Sequence, residues 1–299
     1  MKVLLDAKPT VHQAIEALRT ALAGGLDPDA DPARSVVPVP AGQLLLMPAS
    51  WGGFTGVKVA SVAPGNAERG LPRIQGHYLL LDEPTLSPLA VLDGVAITSV
   101  RTAAVSAVAA AALAEPEASR LVVFGTGPQA HSHVAALRAV RPVRDLVVVG
   151  RDPARTQAFV AQYAELSARA GTPADVADAD LVACCTTARA PLFDGAALPE
   201  HATVVAVGSH EPEAREVDDT TVARSTVVVE AIAAGLREAG DVVQAVRSGA
   251  LAEEDLVPLA DLVCGRAVPG PGPRLFKSVG MSWEDLVVAA ATYRAAVGT

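Results

Sequence analysis

Lysine is scarce in this 299-residue chain: four of its 24 basic residues are lysines, at positions 2, 8, 58 and 277, and the other twenty are arginines. Basic residues of either kind are outnumbered by 33 acidic ones, for a formal net charge of -9. A surface that tracks phosphates needs a basic patch or stripe, so this balance argues against nucleic acid as a partner. Cysteine is scarce too, with three residues at 184, 185 and 264. Sequence neighbours rarely pair and an odd number leaves one over, so no disulfide framework is expected and a reducing, cytoplasmic setting fits. No Cys/His set has the spacing of a structural zinc site, and no metal is expected. Long apolar runs are missing as well. The uncharged stretch 35–57 is broken by Pro38, Pro40, Pro48 and several glycines, and 102–114 is only 13 residues, mostly alanine. The second is too short to span a bilayer. The start, MKVLLDAKPTVHQ, interrupts its apolar run at Asp6 and lacks a signal-peptide core. No membrane association is expected.

What is present is core material. Hydrophobic residues make up 51% and charged residues 19%, enough to bury one large domain or two ordinary ones. Residues 11–23 have helical periodicity ended by Gly24-Gly25, and the Pro/Asp-rich 27–34 reads as a loop. Short β-like segments follow at SVVPVP, QLLLMPA, GVKVASVA and HYLLLDEP, separated by turn signals, as in a mostly antiparallel sheet with one covered face. An alanine-rich helix from Thr98 to Glu115 is stopped by Pro116. Beyond it the rhythm changes. Near-continuous apolar strands, beginning with SRLVVFG and RDLVVVG, alternate with helices, the signature of a parallel sheet covered on both faces. The fold class expected is therefore α/β: a Rossmann dinucleotide-binding domain over 117–281, and an α+β domain made of 1–116 with the final helix, 282–299.

Lys58 stands inside the alternating run GVKVASVA. A charge there is either an edge-strand guard against association or a placed functional group.

The sharpest motif is Gly125-Thr126-Gly127-Pro128-Gln129-Ala130, directly after a strand and opening a helix. In such a GxGxxA loop the first glycine makes the tight turn and the second admits a pyrophosphate to the backbone. The small sixth residue lets helix and strand pack closely. The helix N-terminus supplies N–H groups for the phosphates. NAD-preferring sites usually carry Asp or Glu after the second strand. Here that strand runs into Gly150-Arg151-Asp152-Pro153-Ala154-Arg155. Arg151 and Arg155 suit the 2′-phosphate of NADP(H), and Asp152 reads as a helix cap, so NADP(H) is expected with NAD(H) still open.

Taken in order, several segments resemble the ornithine cyclodeaminase/mu-crystallin family. They are Arg34-Ser35-Val36-Val37, LLMPAS at 45–50, Gly56-Val57-Lys58, GLPRIQGHYLLLD at 70–82, LDGVAITSVRTAAVSAVAA at 92–110, VVFGTGPQAHSH at 122–133 and FKSVGMSWEDL at 276–286. The resemblance implies a substrate and dimerisation domain completed by the last helix, a central Rossmann domain, and a homodimer. It places Arg34, Lys58 and Arg101 around a substrate carboxylate, with Gln75 nearby and Thr186 towards the nicotinamide. Deaminating members carry an aspartate in a GADxPGKxE-like segment, whereas this chain reads Gly208-Ser209-His210-Glu211-Pro212 with His210 in that place. It is therefore similar to the imine-reducing branch. The expected reaction is reduction of a small, cyclic α-imino acid such as Δ1-pyrroline-2-carboxylate, with Lys58 and His210 as the candidate proton-handling residues. The other readings are an ammonia lyase with tightly held NAD, an amino-acid dehydrogenase and a non-enzymatic NADPH-binding protein.

Overall fold

The computed structural model describes residues 1–298, the side chain of Ala67 excepted. By contact density the chain divides into two units, one of Met1–Ala104 together with the residues from Met281 onward, the other of Val105–Gly280.

The first unit is built on a six-stranded sheet. Its strands are β1 (Lys2–Leu4), β2 (Ser35–Val39), β3 (Gly42–Trp51), β4 (Phe54–Val62), β5 (Ile74–Asp82) and β6 (Pro88–Asp93), in the order β1-β6-β5-β4-β3-β2. All neighbours are antiparallel except β1 and β6. Helix α1 (Val11–Ala23) opens on a capping box between Thr10 and Gln13. Helix α2 (Gly94–Leu113) begins where Asp93 Oδ1 accepts the amides of Val95 and Ala96. It starts four residues before the expected Thr98. Strand β6 supplies the reason: its last residue, Asp93, acts as the cap. This helix is long and apolar enough to cross a membrane by length and composition, yet residues 101–110 are buried in the fold.

In the second unit all eight strands run parallel. They are β7 (Arg120–Phe124), β8 (Asp145–Val149), β9 (Arg169–Ala170), β10 (Leu181–Cys184), β11 (Thr203–Ala206), β12 (Thr226–Val229), β13 (Val257–Pro258) and β14 (Arg274–Lys277). Their order is β13-β12-β14-β11-β10-β7-β8-β9. The order reverses at β7, which has β8 on one side and β10 on the other. Such a switch point opens a crevice at the strands' carboxyl ends. The helices are α3 (Pro128–Arg138), α4 (Pro153–Val160), α5 (Asp219–Arg224), α6 (Ile232–Glu238), α7 (Gly240–Ser248) and α8 (Leu259–Val263). Helix α4 ends at Val160, where the chain turns into a 3-10 segment with a non-helical Tyr163. The buried His133 ties α3 to α2, bonding the Gln129 carbonyl through Nδ1 and Ser106 Oγ through Nε2 at 2.8 and 3.0 Å. Burial lowers its pKa to about 4 and holds it neutral.

The last helix, α9 (Ser282–Val297), belongs to the first unit, where it packs on β3, β4 and β5 and is covered by α1. Sandwiched this way, its first nine residues are all buried. Its N-terminus has no cap from Met281. Instead Asp31, far away in sequence, accepts the Trp283 amide at 2.7 Å.

Candidate active site

Strand alternation decides which residues of the first unit's sheet face α9. Met47, Lys58, Tyr78 and Leu92 lie opposite one another across β3 to β6 and are all buried. Lys58 therefore occupies an interior strand, between β3 and β5, with 3% of its surface exposed. That rules out an edge-strand guard.

An ammonium so placed needs a partner, and α9 provides it. Lys58 Nζ donates to Asp285 Oδ2 at 2.6 Å and to Thr98 Oγ1 at 3.3 Å. Arg101, from α2, donates through Nε to the other oxygen of Asp285 at 3.1 Å and through a terminal nitrogen to Glu284 at 2.6 Å. Asp285 and Glu284 are fully buried. Two cations and two carboxylates thus share one water-poor pocket, a sequestered network that favours well-defined geometry over net stability. Burial is the largest cause that pulls Lys58 down to about 8, ahead of repulsion from Arg101 and Arg34, while Asp285 pulls the other way. Repulsion by like charge is the smaller part. Asp31, beside Asp285 and the start of α9, is driven up to about 7, chiefly by burial.

The expected carboxylate-binding residues divide on inspection. Lys58 and Arg101 meet at Asp285, and the half-exposed Arg34, just before β2, is close enough for its charge to act on Lys58. Gln75 is not brought to them. It is exposed on β5, paired with Ser61, and alternation turns it to the face opposite Tyr78 and Lys58. Asp31, Glu284 and Asp285 were missed from sequence. Two acids opening an apolar helix read as ordinary first-turn residues that complement the helix dipole, although both lie inside the quoted FKSVGMSWEDL segment.

The second unit carries the glycine loop at the carboxyl end of β7, at the switch point. Gly125 has φ +113, and a Cβ there would meet the Cys185 carbonyl oxygen at 2.5 Å, so only glycine permits this turn beside β10. Gly127, the residue before α3, is open, with nothing within 4 Å of a built Cβ. It offers no side-chain cap, Pro128 fills the first helical position, and the Ala130 and His131 amides turn to the Gly127 carbonyl at 3.0 and 3.4 Å. Ala130 is buried, and the Gln129 Oε1, shielded from solvent, has no hydrogen-bond partner. Thr126 lies against Gly150 at the end of β8. A glycine that must turn, an open glycine and a helix start with no side-chain cap make the cradle a dinucleotide's pyrophosphate requires. The residues present fit that group.

Arg151, just past β8, and Arg155, in the first turn of α4, are both exposed. Asp152 accepts the amides of Ala154 and Arg155 at 2.9 and 3.1 Å, so its carboxylate serves as the cap of α4. Thr186, just past β10, gives its amide and hydroxyl to Glu216 at 2.8 and 2.7 Å. His210 is exposed on the loop after β11.

Comparison with known proteins places this architecture. Residues 3–299 match the model of the ornithine cyclodeaminase/mu-crystallin family. A Delta(1)-pyrroline-2-carboxylate/Delta(1)-piperideine-2-carboxylate reductase of Azospirillum brasilense is 38% identical over 260 residues, covering 85% of this chain and 81% of the relative. The Thermococcus litoralis Delta(1)-pyrroline-2-carboxylate reductase, solved in complex with NADH and L-proline, superposes with a TM-score of 0.92 at 29% identity, covering 100% of this chain and 98% of the other. A probable ornithine cyclodeaminase from Bordetella pertussis Tohama I gives 0.88 at 32% identity, covering 100% and 97%. With its parallel Rossmann sheet, its separate α+β unit and these matches, the chain belongs to the ornithine cyclodeaminase/mu-crystallin family.

Proposed function

We propose that this protein reduces a small, cyclic α-imino acid, Δ1-pyrroline-2-carboxylate or its piperideine homologue, to the corresponding amino acid with a nicotinamide dinucleotide as reductant. The observation that carries the reading is the buried Lys58–Arg101 pair with Arg34 beside it. A protein that only bound a nucleotide would have no use for a second set of cations held this expensively out of water. The curated relative from Azospirillum is named for this reaction, and the Thermococcus reductase was solved with the amino acid product of such a step.

The dinucleotide, when bound, supplies the hydride that adds to the carbon of the C=N bond. Gly125, Gly127 and the N-terminus of α3 would hold its pyrophosphate. Arg34 and Arg101 orient the substrate carboxylate, since a planar guanidinium fixes the plane of a carboxylate. The substrate nitrogen must gain a proton, because hydride addition to a neutral imine would leave it anionic. Lys58 gives that proton: an N–H bond breaks at Nζ, one forms at the substrate nitrogen, and solvent restores the ammonium. An ammonium carries three hydrogens, and Asp285 and Thr98 take two of them. Asp285 holds Lys58 in place and keeps it charged. His210, exposed on the loop after β11, is the second proton-handling candidate.

Arg151 and Arg155, together with the engagement of Asp152 in capping, favour NADP(H) over NAD(H). A second copy of this chain is the partner. The sheet face turned away from α9 carries Val3, Pro48, Val57, Leu79 and Val91 in one register row, with the 41%-exposed Val59 beside them, an apolar face of the kind two subunits cover.

The test is to supply the chain with Δ1-pyrroline-2-carboxylate and with its piperideine homologue, using NADPH and NADH in parallel. Consumption of reduced nicotinamide matched by proline or pipecolate is expected. Ammonia release from ornithine with no net change in nicotinamide absorbance would reassign the protein as a lyase.

A further inference from the structure

Beyond the glycine loop, the carboxyl edge of the parallel sheet holds a buried ionic cluster with no part in the scheme above. Glu216, fully buried, accepts the Thr186 amide and hydroxyl on one oxygen and the Gly208 amide, at 2.7 Å, on the other. Its own amide and that of Val217 donate to Asp241 Oδ1 at 2.6 and 2.9 Å. The second oxygen of Asp241 faces Lys277 Nζ at 2.9 Å, and that ammonium also donates to the Ser209 carbonyl at 2.7 Å. Asp241 is fully buried and Lys277 is 1% exposed. Burial raises the Glu216 carboxyl, while Lys277, Thr186 and Gly208 oppose the rise. Both of its oxygens receive donors, two backbone amides and the Thr186 hydroxyl, whose own oxygen already accepts the Ala188 amide at 3.1 Å, so the geometry favours the carboxylate. Two carboxylates and one ammonium leave one buried negative charge. The neighbouring thiols of Cys184 and Cys185 do not add to it, since burial and Glu216 push both well above their usual range.

The position of this charge has a consequence for the dinucleotide. Thr186 follows Cys185, whose carbonyl oxygen abuts Gly125 of the glycine loop. In a doubly wound sheet the adenosine half lies over the second strand, here β8, and the other half falls on the opposite side of the switch point. That side is β10 and β11, whose exits Glu216 bridges. The nicotinamide ring is a cation when oxidised and neutral when reduced.

We propose that Glu216 is a positioning residue of the dinucleotide site which, with Asp241 and Lys277, sets one negative charge beside the nicotinamide half, stabilises the oxidised cofactor over the reduced one and so favours hydride donation. This rests on the dinucleotide reading given under Proposed function, and it adds that the site itself is biased towards the reducing direction.

The experiment is calorimetric titration of the full chain with NADP+ and with NADPH at pH 8, for the wild type and for Glu216→Gln and Glu216→Asp. In Glu216→Gln the ratio of the NADP+ to the NADPH dissociation constant is expected to rise about five- to tenfold, the size of one unit charge acting over several ångströms in a partly buried site. Glu216→Asp keeps the charge and should hold the ratio within about twofold. Equal weakening of both forms would overturn the proposal, because a purely structural clamp treats them alike, and so would a shift in Glu216→Asp as large as in Glu216→Gln. Should Glu216→Gln fail to fold, Asp241→Asn also removes one negative charge and is expected to move the ratio in the same direction; an unmoved ratio there would overturn the proposal. A wild type that bound neither nucleotide would overturn the cofactor reading itself.

Discussion

Replacing Asp285 by Asn tests the electrostatic core of the first unit. Asparagine keeps the shape and one acceptor oxygen, but it removes the charge that faces Lys58 at 2.6 Å and Arg101 at 3.1 Å. Breaking a buried pair leaves an uncompensated charge and costs about 3–5 kcal/mol. Arg101 keeps Glu284 at 2.6 Å, which places the expected loss near the lower end, about 3 kcal/mol. At roughly 2–4 °C per kcal/mol for a chain of this size class, the melting temperature should fall by about 6–12 °C at pH 7. The deficit should also depend on pH. The Lys58 pKa of about 8 lies below the value of a free lysine, so the folded wild type loses that proton, and the ion pair with it, as pH rises through 8. In Asp285→Asn the pKa falls further and Lys58 is already neutral at lower pH. Thermal unfolding of both proteins from pH 6.5 to 10 should therefore show the gap narrowing as pH rises to 8 and levelling off above it. A gap that stays constant across that range would refute the assignment of Lys58 as the titrating partner.

Lys58→Met should abolish imino-acid turnover and leave NADPH affinity within about twofold by titration, because the cradle lies in the other unit; retained turnover would remove Lys58 from the reaction. Asp31→Asn removes a carboxyl whose pKa of about 7 is raised by burial. The wild-type carboxyl favours the fold while protonated and loses that contribution as pH rises through 7, so the variant should be more stable by about 1–2 kcal/mol at pH 8.5 and near equal at pH 4, by chemical denaturation. Replacing Arg151 and Arg155 together by Ala should cut the NADPH-over-NADH preference in kcat/KM about tenfold or more, the loss of charge-assisted contacts to one phosphate; an unchanged ratio would return the site to NAD(H).

Much of the second unit could be read from sequence because each feature there is local. A glycine that must turn, an open glycine, a proline opening a helix and a run of apolar strands all announce themselves within a few residues. Strand β14 did not, although it lies between β11 and β12 in the sheet. RLFK carries a cation at each end and looks like surface chain; Asp241 from α7 and the Ser209 carbonyl make its lysine a core residue. Strand β6 was hidden by its length and its opening proline. The same limit applies to the site. Lys58 stood out as a charge in an apolar alternation, and Arg34 and Arg101 came through family resemblance. The carboxylate partners of Lys58 and Arg101 come from a helix that begins more than 180 residues later than Arg101, and the Asp31 cap of that helix lies 252 residues from Trp283. Contacts over such separations leave no spacing for a sequence reader to find. Gln75 shows the converse: a motif match carries no information on which face of the strand the residue takes, and here alternation turns it from Lys58.

The proposed reaction delivers hydride to the imino carbon of a cyclic α-imino acid. Incubating the protein with Δ1-pyrroline-2-carboxylate and NADPH carrying deuterium at the transferable C4 position, then analysing the product by mass spectrometry, tests it most directly. The account predicts proline with one deuterium on its α-carbon, formed with one of the two C4 epimers of the cofactor and unlabelled with the other. Proline without label from both epimers, or no proline at all, would contradict it.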